Sequence, residues 1–257
     1  MRLQGLYGYR DLLQQLVLRD IKLKYRRSFL GYVWSVLNPL LIMLVMTLVF
    51  STMFKRNIEN FAVYMLTGSI LYNFNTEATN NAMRSITGSA ALLKKIYVPK
   101  YIFPLAKVTS SLVNLLFAFG ALIIVMLFTG VPFRWTNLLF FIPVVELYVF
   151  SLGLGIFLSQ FAVFFRDIEY IYSVITTAWF YATPIFYPLE TLSPPLFWVI
   201  TRLNPLFYYI MQFRQIILYD RVMEFQLVWK GALISVLMLC IGTWFFKRNQ
   251  DKFMLYI

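Results

Sequence analysis

Histidine is absent from the 257-residue chain, and cysteine occurs once, as Cys240. A Ser-His-Asp hydrolase site and a metal site built on histidine and cysteine are therefore excluded by inventory. A disulfide framework would need a second cysteine and is excluded as well. We find no pair of acidic residues spaced like a glycosyltransferase or metal-dependent catalytic site. The sequence predicts a conduit rather than a catalyst.

No glycine in the chain is followed by lysine. The GxxxxGK[ST] loop that cradles nucleotide phosphates is therefore missing. We expect no ATP site of this kind and no cofactor or metal in this chain.

Charged residues are scarce: they make up 13% of the chain, against 60% hydrophobic residues, and the mean hydropathy is +0.71. A soluble domain of this composition would expose large apolar patches, so we expect a multi-pass membrane protein. The net charge of +12 lies mostly in short segments beside apolar runs. Anionic lipid head groups attract such segments, so we expect membrane lipids and not nucleic acid as their partner.

The apolar runs predict an all-α membrane protein with six transmembrane helices, because about 20 apolar residues suffice to cross a bilayer. The predicted spans are residues 31–54, 61–83, 105–129, 138–164, 171–188 and 227–246, within a transmembrane domain of residues 31–257. Two further runs within residues 196–218 are too short to cross. They are predicted as short re-entrant outer helices before the last span.

Most of the 23 lysine and arginine residues fall in segments assigned to one side of this arrangement. These segments include the N-terminus, an inner segment at 84–104 and the C-terminus. Because positive residues accumulate on the cytoplasmic side, both termini are expected in the cytosol.

Residues 1–30 are expected to form a cytoplasmic, amphipathic interface helix. Between positions 9 and 27, apolar residues recur at helical spacing, and charged or amide residues occupy the other face. Such a helix lies along the membrane surface. It is either an anchor or a lever that a cytoplasmic partner moves.

Two acids fall within predicted spans, Glu77 and Glu146. An acid inside a span is a candidate functional residue, the alternative being a structural hydrogen bond to a neighbouring helix. Glu77 belongs to a polar stretch, residues 73–81, which either lines a wet cavity or has emerged into water.

Aromatic residues make up 19% of the chain and are concentrated in the second and fifth spans. Those near span ends are typical of an interfacial belt. Five lie deeper, where their rings could stack against sugars. These candidates are Tyr72, Phe74, Trp179, Phe180 and Tyr181.

Three stretches together resemble the membrane-spanning subunits of ATP-binding-cassette (ABC) polysaccharide exporters, the permeases for O antigen, teichoic acid and capsule. They are RDIKLKYRRSFLGYVWSVLNPLL at 19–41, LLKKIYVPKYIFP at 92–104 and RLNPLFYYIMQFRQIIL at 202–218. The resemblance covers essentially the whole chain, and its most specific part is the charged helix that runs into LGYVWSVLNP.

This resemblance implies a homodimeric half-transporter in the bacterial cytoplasmic membrane. Two copies of a separate ATPase subunit would bind ATP and Mg, and the substrate would be a glycan linked to undecaprenyl diphosphate. The resemblance further implies an ATPase-coupling segment at Lys94, Lys95, Ile96, Tyr97 and Val98. The lipid head would be received by Arg26, Arg27, Ser28 and Tyr32, for which guanidinium geometry is suited.

Three other functions remain open. One is a related exporter of a drug or ordinary lipid, the second a membrane enzyme acting on polyprenyl phosphates, and the third a scaffold without transport.

Overall fold

The computed structural model describes residues 8–25, 30–54, 58, 60–95 and 97–256. Within these residues the chain is all-helical and contains no β-strand, as predicted. The α-helices of this part are α1 (Arg10–Tyr25), α2 (Trp34–Phe54), α3 (Phe61–Met83), α4 (Ala90–Leu93), α5 (Ile102–Thr129), α6 (Phe141–Phe164), α7 (Ile168–Tyr181), α8 (Pro194–Leu203), α9 (Pro205–Ile217) and α10 (Phe225–Asn249).

Four helical stretches in the described residues are long and apolar enough to span a membrane. They are Gly31–Phe50, Ile102–Thr129, Trp135–Phe164 and Phe225–Leu255. They correspond to four of the six predicted spans. Helix α3 is 23 residues long, but its second half is too polar to meet the same criterion.

The predicted fifth span ends earlier than its apolar run suggested. Helix α7 has 14 residues, about 21 Å at about 1.5 Å per residue, which is less than the hydrocarbon thickness of about 30 Å. Pro184 explains the early end, because it lacks a backbone N–H and disfavours helix at the residue before it.

The main hydrophobic core lies between α3, α5, α6 and α9. Its fully buried members include Leu66, Leu147 and Phe213, and Leu122 is nearly fully buried. Helix α2 packs on this core from outside and has no buried residue in its most apolar stretch. The core helices therefore form the framework to which α2 is added.

Helices α6 and α10 cross very closely, and two glycines permit it. A Cβ added to Gly153 would lie 2.5 Å from the backbone nitrogen of Leu239, and one added to Gly242 would lie 2.2 Å from the carbonyl oxygen of Gly153. Small residues of this kind let helix backbones approach in membranes.

A second hydrophobic cluster, which we call the end cluster, gathers segments that are far apart in sequence. It is built from Leu16, Ile86, Leu93, Val98, Ile102, Phe103, Ala106, Ile156, Val163, Phe246 and Phe253. The ammonium of Lys100 adds a hydrogen bond of 2.5 Å to the carbonyl of Gln250. Helix α1, the 84–104 segment and the C-terminal turn therefore lie at one end of the helix bundle.

The outer helices predicted at 196–218 are present as α8 and α9, separated at Asn204. The side chain of Asn204 accepts a hydrogen bond from the backbone N–H of Leu206, which caps the start of α9. Ile200 of α8 and Phe207 of α9 pack together near Leu227, at the start of α10. Since the other end of α10 belongs to the end cluster, these helices lie at the opposite end of the bundle.

Replacing Gly153 by alanine should destabilise the protein by roughly 1–3 kcal/mol, because backbone atoms of α10 cannot give way cheaply to a new methyl group. Gly120→Ala is the matched control, since its Cβ would meet only Val36 Cγ2 at 3.5 Å. Alanine there should be neutral or stabilising by up to about 1 kcal/mol. Thermal unfolding of both variants in detergent tests this, and equal melting temperatures would contradict it.

Candidate functional site

The predicted coupling segment forms an exposed tip at the end of the bundle. Lys94 and Lys95 are exposed, and Tyr97 is 96% exposed although it is aromatic. Leu93 and Val98, on either side, are buried in the end cluster. Ile96 lies outside the described residues. The tip is thus held from both sides while it presents two cations and a ring.

Helix α1 is attached to the bundle by its apolar face and by two ion pairs. Leu16 is buried in the end cluster. Asp20 contacts the ammonium of Lys107 on α5 at 2.9 Å, and Lys24 contacts Glu77 on α3 at 2.8 Å. This helix is therefore joined to two long helices, which agrees with the lever interpretation as well as with an anchor.

Of the four residues expected to receive a lipid head, only Tyr32 belongs to the described part of the chain. Tyr32 lies in the short 3-10 turn Gly31–Val33 before α2, is exposed, and has its ring centroid 5.9 Å from that of Phe117 on α5. Arg26, Arg27 and Ser28 lie outside the described residues.

The five candidate aromatic residues do not form one continuous surface in the single chain. Tyr72 is buried, donates a hydrogen bond to the carbonyl of Thr176 on α7, and packs edge-on against Phe180 with centroids 5.2 Å apart. Trp179 is half-buried and donates to Asn204 Oδ1 at 2.8 Å. Tyr181 is 63% exposed. Phe74 is buried on the side of α3 that faces α2 and α5.

The polar half of α3 has two different environments. Asn75 and Thr79 are fully buried against neighbouring helices, where Asn75 Oδ1 accepts from Ser151 on α6 at 2.9 Å and Thr79 Oγ1 accepts from Tyr172 on α7 at 2.7 Å. The two alternatives drawn from the sequence were a wet cavity and emergence into water, and neither includes burial against other helices. Glu77, on another face, lines a cavity, as the first alternative expects.

We call this space the interfacial cavity. It consists of two adjoining cavities of about 240 and 520 Å³ that share Lys24, Glu77 and Asn114. The smaller one lies between α2, α3 and α5, and the larger one lies beside α1. The smaller cavity's lining includes Lys24, Trp34, Asn38, Asn73, Glu77 and Asn114.

Glu146 is buried away from the interfacial cavity. Its Oε2 accepts a hydrogen bond of 2.8 Å from Gln212 on α9. A Cβ added to Gly231 on α10 would lie 2.3 Å from the same oxygen, so a larger residue there would have to displace the carboxylate. Glu146 therefore links α6 to α9 beside α10, through the kind of hydrogen bond to a neighbouring helix that the structural alternative describes.

Arg214 lies on α9, within the predicted outer helices at 196–218. It is fully buried, and its guanidinium donates to the carbonyls of Tyr64, Pro184 and Ile185 at 2.7–3.1 Å. The guanidinium carbon lies 3.4 Å from the centroid of the Tyr64 ring, a cation-π contact. An arginine within an apolar run too short to cross was the signal available in the sequence.

Comparison with known proteins identifies the family of the chain. The family model described as ABC-2 type transporter matches residues 11–218, which include all of α1 except Arg10, the coupling segment, the interfacial cavity and both outer helices. The chain belongs to the ABC-2 type transporter family. The membership expected from the three sequence stretches is thereby confirmed.

Individual relatives of this ABC-2 chain are similar over nearly their whole lengths. The O-antigen export system permease protein RfbA of Myxococcus xanthus is 31% identical over 249 residues, which cover 96% of both chains. RfbA of Klebsiella pneumoniae is 26% identical over 95% of this chain and 93% of its own. The polysialic acid transport protein KpsM of Escherichia coli is 20% identical over 93% of both.

Replacing Arg214 by methionine should release the segment after α7, because three carbonyls lose a charged donor worth about 1.5–3 kcal/mol each. The test places a cysteine in this segment, Ile185→Cys, in a chain whose Cys240 is replaced by serine. Its labelling by a thiol reagent should become at least about tenfold faster, since a loss of only about 1.4 kcal/mol in the free energy of opening corresponds to that factor.

Arg202→Met on exposed α8 is the control and should leave the labelling rate unchanged. Equal rates in the Arg214→Met and control chains would show that the guanidinium does not hold this segment.

Proposed function

We propose that this chain is the membrane subunit of an ABC transporter that exports a lipid-linked polysaccharide across the bacterial cytoplasmic membrane. The substrate would be a glycan carried on undecaprenyl diphosphate, of the O-antigen, capsule or teichoic acid type. The observation that carries the proposal is the similarity, over 96% of both chains, to a permease named for O-antigen export.

The proposed topology has six spans, with α3 and α7 added to the four strongly apolar stretches. At 23 residues, α3 is about 35 Å long and can cross even though its polar half needs protein around it. Helix α7 would cross together with residues 182–188. The clustering of α1, the 84–104 segment and the C-terminal turn at one end supports placing both termini in the cytosol.

The proposed assembly contains two copies of this chain and two ATPase subunits, which supply ATP and Mg. The exposed tip of the coupling segment, with Lys94, Lys95 and Tyr97, would seat in a groove of the ATPase. Ile96 belongs to the same segment, and Val98 would anchor the tip in the end cluster. Closure of the ATPase pair would move this tip and the end cluster together. The energy comes from the different affinity of nucleotide for the two arrangements of the helices.

The path for the glycan would run between helices that separate during this movement. Tyr72 and Phe180 contact each other across α3 and α7, so separation of these helices would uncover their rings beside Tyr181, which is already exposed. Phe74 would be uncovered by movement of α2 instead, and Trp179 would line the path from its position against Asn204. Arg26, Arg27, Ser28 and Tyr32 would hold the diphosphate of the lipid head at the membrane surface.

Vesicles that contain this chain and its ATPase should move a lipid-linked glycan across the bilayer when ATP is added, measured by protection of the glycan from an added glycosidase. ATP hydrolysis without movement of any such glycan would end the polysaccharide proposal. Movement of a drug or an ordinary lipid instead would favour the related exporter. Turnover of a polyprenyl phosphate by the purified chain alone would favour the enzyme.

Replacing Lys94 and Lys95 by glutamate should reduce co-purification of the ATPase at least about tenfold, because the charge that the docking tip presents to its partner is reversed at two exposed positions. The control reverses Arg202 and Arg221, two exposed cations on the other side of the proposed topology. It should co-purify normally. Undiminished assembly of the Lys94 and Lys95 variant would count against the coupling assignment.

A further inference from the structure

Two asparagines on facing walls of the smaller part of the interfacial cavity make no hydrogen bond with the described part of the chain. Asn38 lies on α2, one helical turn after Trp34, and Asn73 lies on α3, one turn before Glu77. Residues four apart share a helix face, so each wall carries a pair of cavity-lining residues. Both asparagines are exposed.

An exposed amide at Asn73 is costly in the proposed topology. Asn73 lies about 18 Å along α3 from its start at Phe61, at about 1.5 Å per residue, which is inside the hydrocarbon layer. An amide facing lipid there would have no partner, and an unpaired polar group in hydrocarbon costs several kcal/mol. The position therefore calls for a ligand or water with both donors and acceptors.

The charges of the cavity indicate a neutral ligand. Glu77 Oε1 accepts from the ammonium of Lys24 at 2.8 Å and from the amide of Asn114 at 2.7 Å. Its Oε2 accepts nothing from the described residues. Because Lys24 already faces a carboxylate, the site is poorly matched to a phosphate group. It offers two open amides and one carboxylate oxygen to hydroxyl groups.

An aromatic residue in the lining, Trp34, and the volume of the cavity agree with a small ring-shaped ligand. Trp34 is 41% exposed, which leaves part of its indole surface open. Aromatic surface combined with amide and carboxylate groups suits the apolar face and the hydroxyls of a sugar. At about 240 Å³, this part is slightly smaller than typical sites for drug-sized ligands, about 300–1,000 Å³, and so suits a ring rather than a chain.

We infer that the interfacial cavity binds a sugar ring of the transported glycan close to its lipid end, between Trp34 and Asn38 on α2 and Asn73 and Glu77 on α3. This inference rests on the proposed function and assigns a saccharide site inside one subunit. The diphosphate would lie nearby at the membrane surface, outside the cavity.

The test is photolabelling of the intact transporter in lipid nanodiscs with two probes. One is undecaprenyl diphosphate bearing N-acetylglucosamine with a photoreactive group on the sugar, and the other is a photoreactive undecaprenyl diphosphate without sugar. We expect the sugar probe to label peptides that contain residues 34–38 and 70–77. Equal labelling of these peptides by the sugar-free probe, or their absence from the labelled set, would overturn the inference.

Asn38→Leu combined with Asn73→Leu should reduce this labelling at least tenfold. Asn80→Leu is the matched control, because Asn80 lies on the same helix outside the cavity and its amide donates to the carbonyl of Thr76. Full labelling of the double variant would overturn the inference. If the double variant fails to assemble, labelling of the unaltered chain decides.

A second copy of the chain is the competing partner for these amides. In a chain with Cys240→Ser, efficient disulfide formation between Asn73→Cys residues of two subunits would show that a subunit covers the cavity, and would overturn the inference. Without this cross-link, the cavity stays open to a ligand.

Vesicle transport separates this inference from the proposed function. We expect the double variant to move glycan at least fivefold more slowly while its ATPase co-purifies normally. Unchanged movement and labelling would remove the sugar site and leave export standing. Absence of movement with the unaltered chain would remove export itself.

Discussion

Polar groups inside a hydrocarbon layer must find their partners within the protein, and this constraint organises the bundle. The helix contacts that involve a polar side chain are accordingly specific. Asn75 binds Ser151 between α3 and α6, Glu146 binds Gln212 between α6 and α9, and Arg214 binds the carbonyls that follow α7. Each contact fixes the rotation of a helix about its own axis. Apolar packing alone would leave that rotation free, because an apolar side chain gains little by facing another helix when lipid is as apolar as leucine.

The same constraint separates rigid from movable parts. Helices α6 and α10 approach so closely at Gly153 and Gly242 that sliding by one residue would place a side chain between the two backbones. Helix α7, by contrast, buries only Tyr172 and Thr176, and the most apolar stretch of α2 buries none of its residues. A conduit that opens by helix separation would therefore move α2 and α7 against a fixed core.

At the end that carries α1, apolar burial outweighs charge. The Lys24–Glu77 pair is partly exposed, and pairs of this kind contribute about 0–1 kcal/mol. Burying a large apolar side chain such as Leu16, Leu93 or Phe253 contributes about 1.5–3 kcal/mol each. The end cluster is thus the stronger connection between α1, the coupling tip and the C-terminal turn, while the ion pairs determine which faces meet.

The sequence by itself determined the all-α membrane class, the amphipathic first helix and the two short helices divided at Asn204, because apolar periodicity and proline positions act locally. The family followed from the resemblance of three stretches. It also located the acids and the basic segments. Only the tertiary structure decided that α7 stops at Tyr181, that Asn75 is buried while Asn73 is exposed, and that Arg214 serves carbonyls from two distant segments. Such outcomes depend on which helix faces which neighbour, and a one-dimensional pattern of apolar residues does not encode that when every face of a span is apolar.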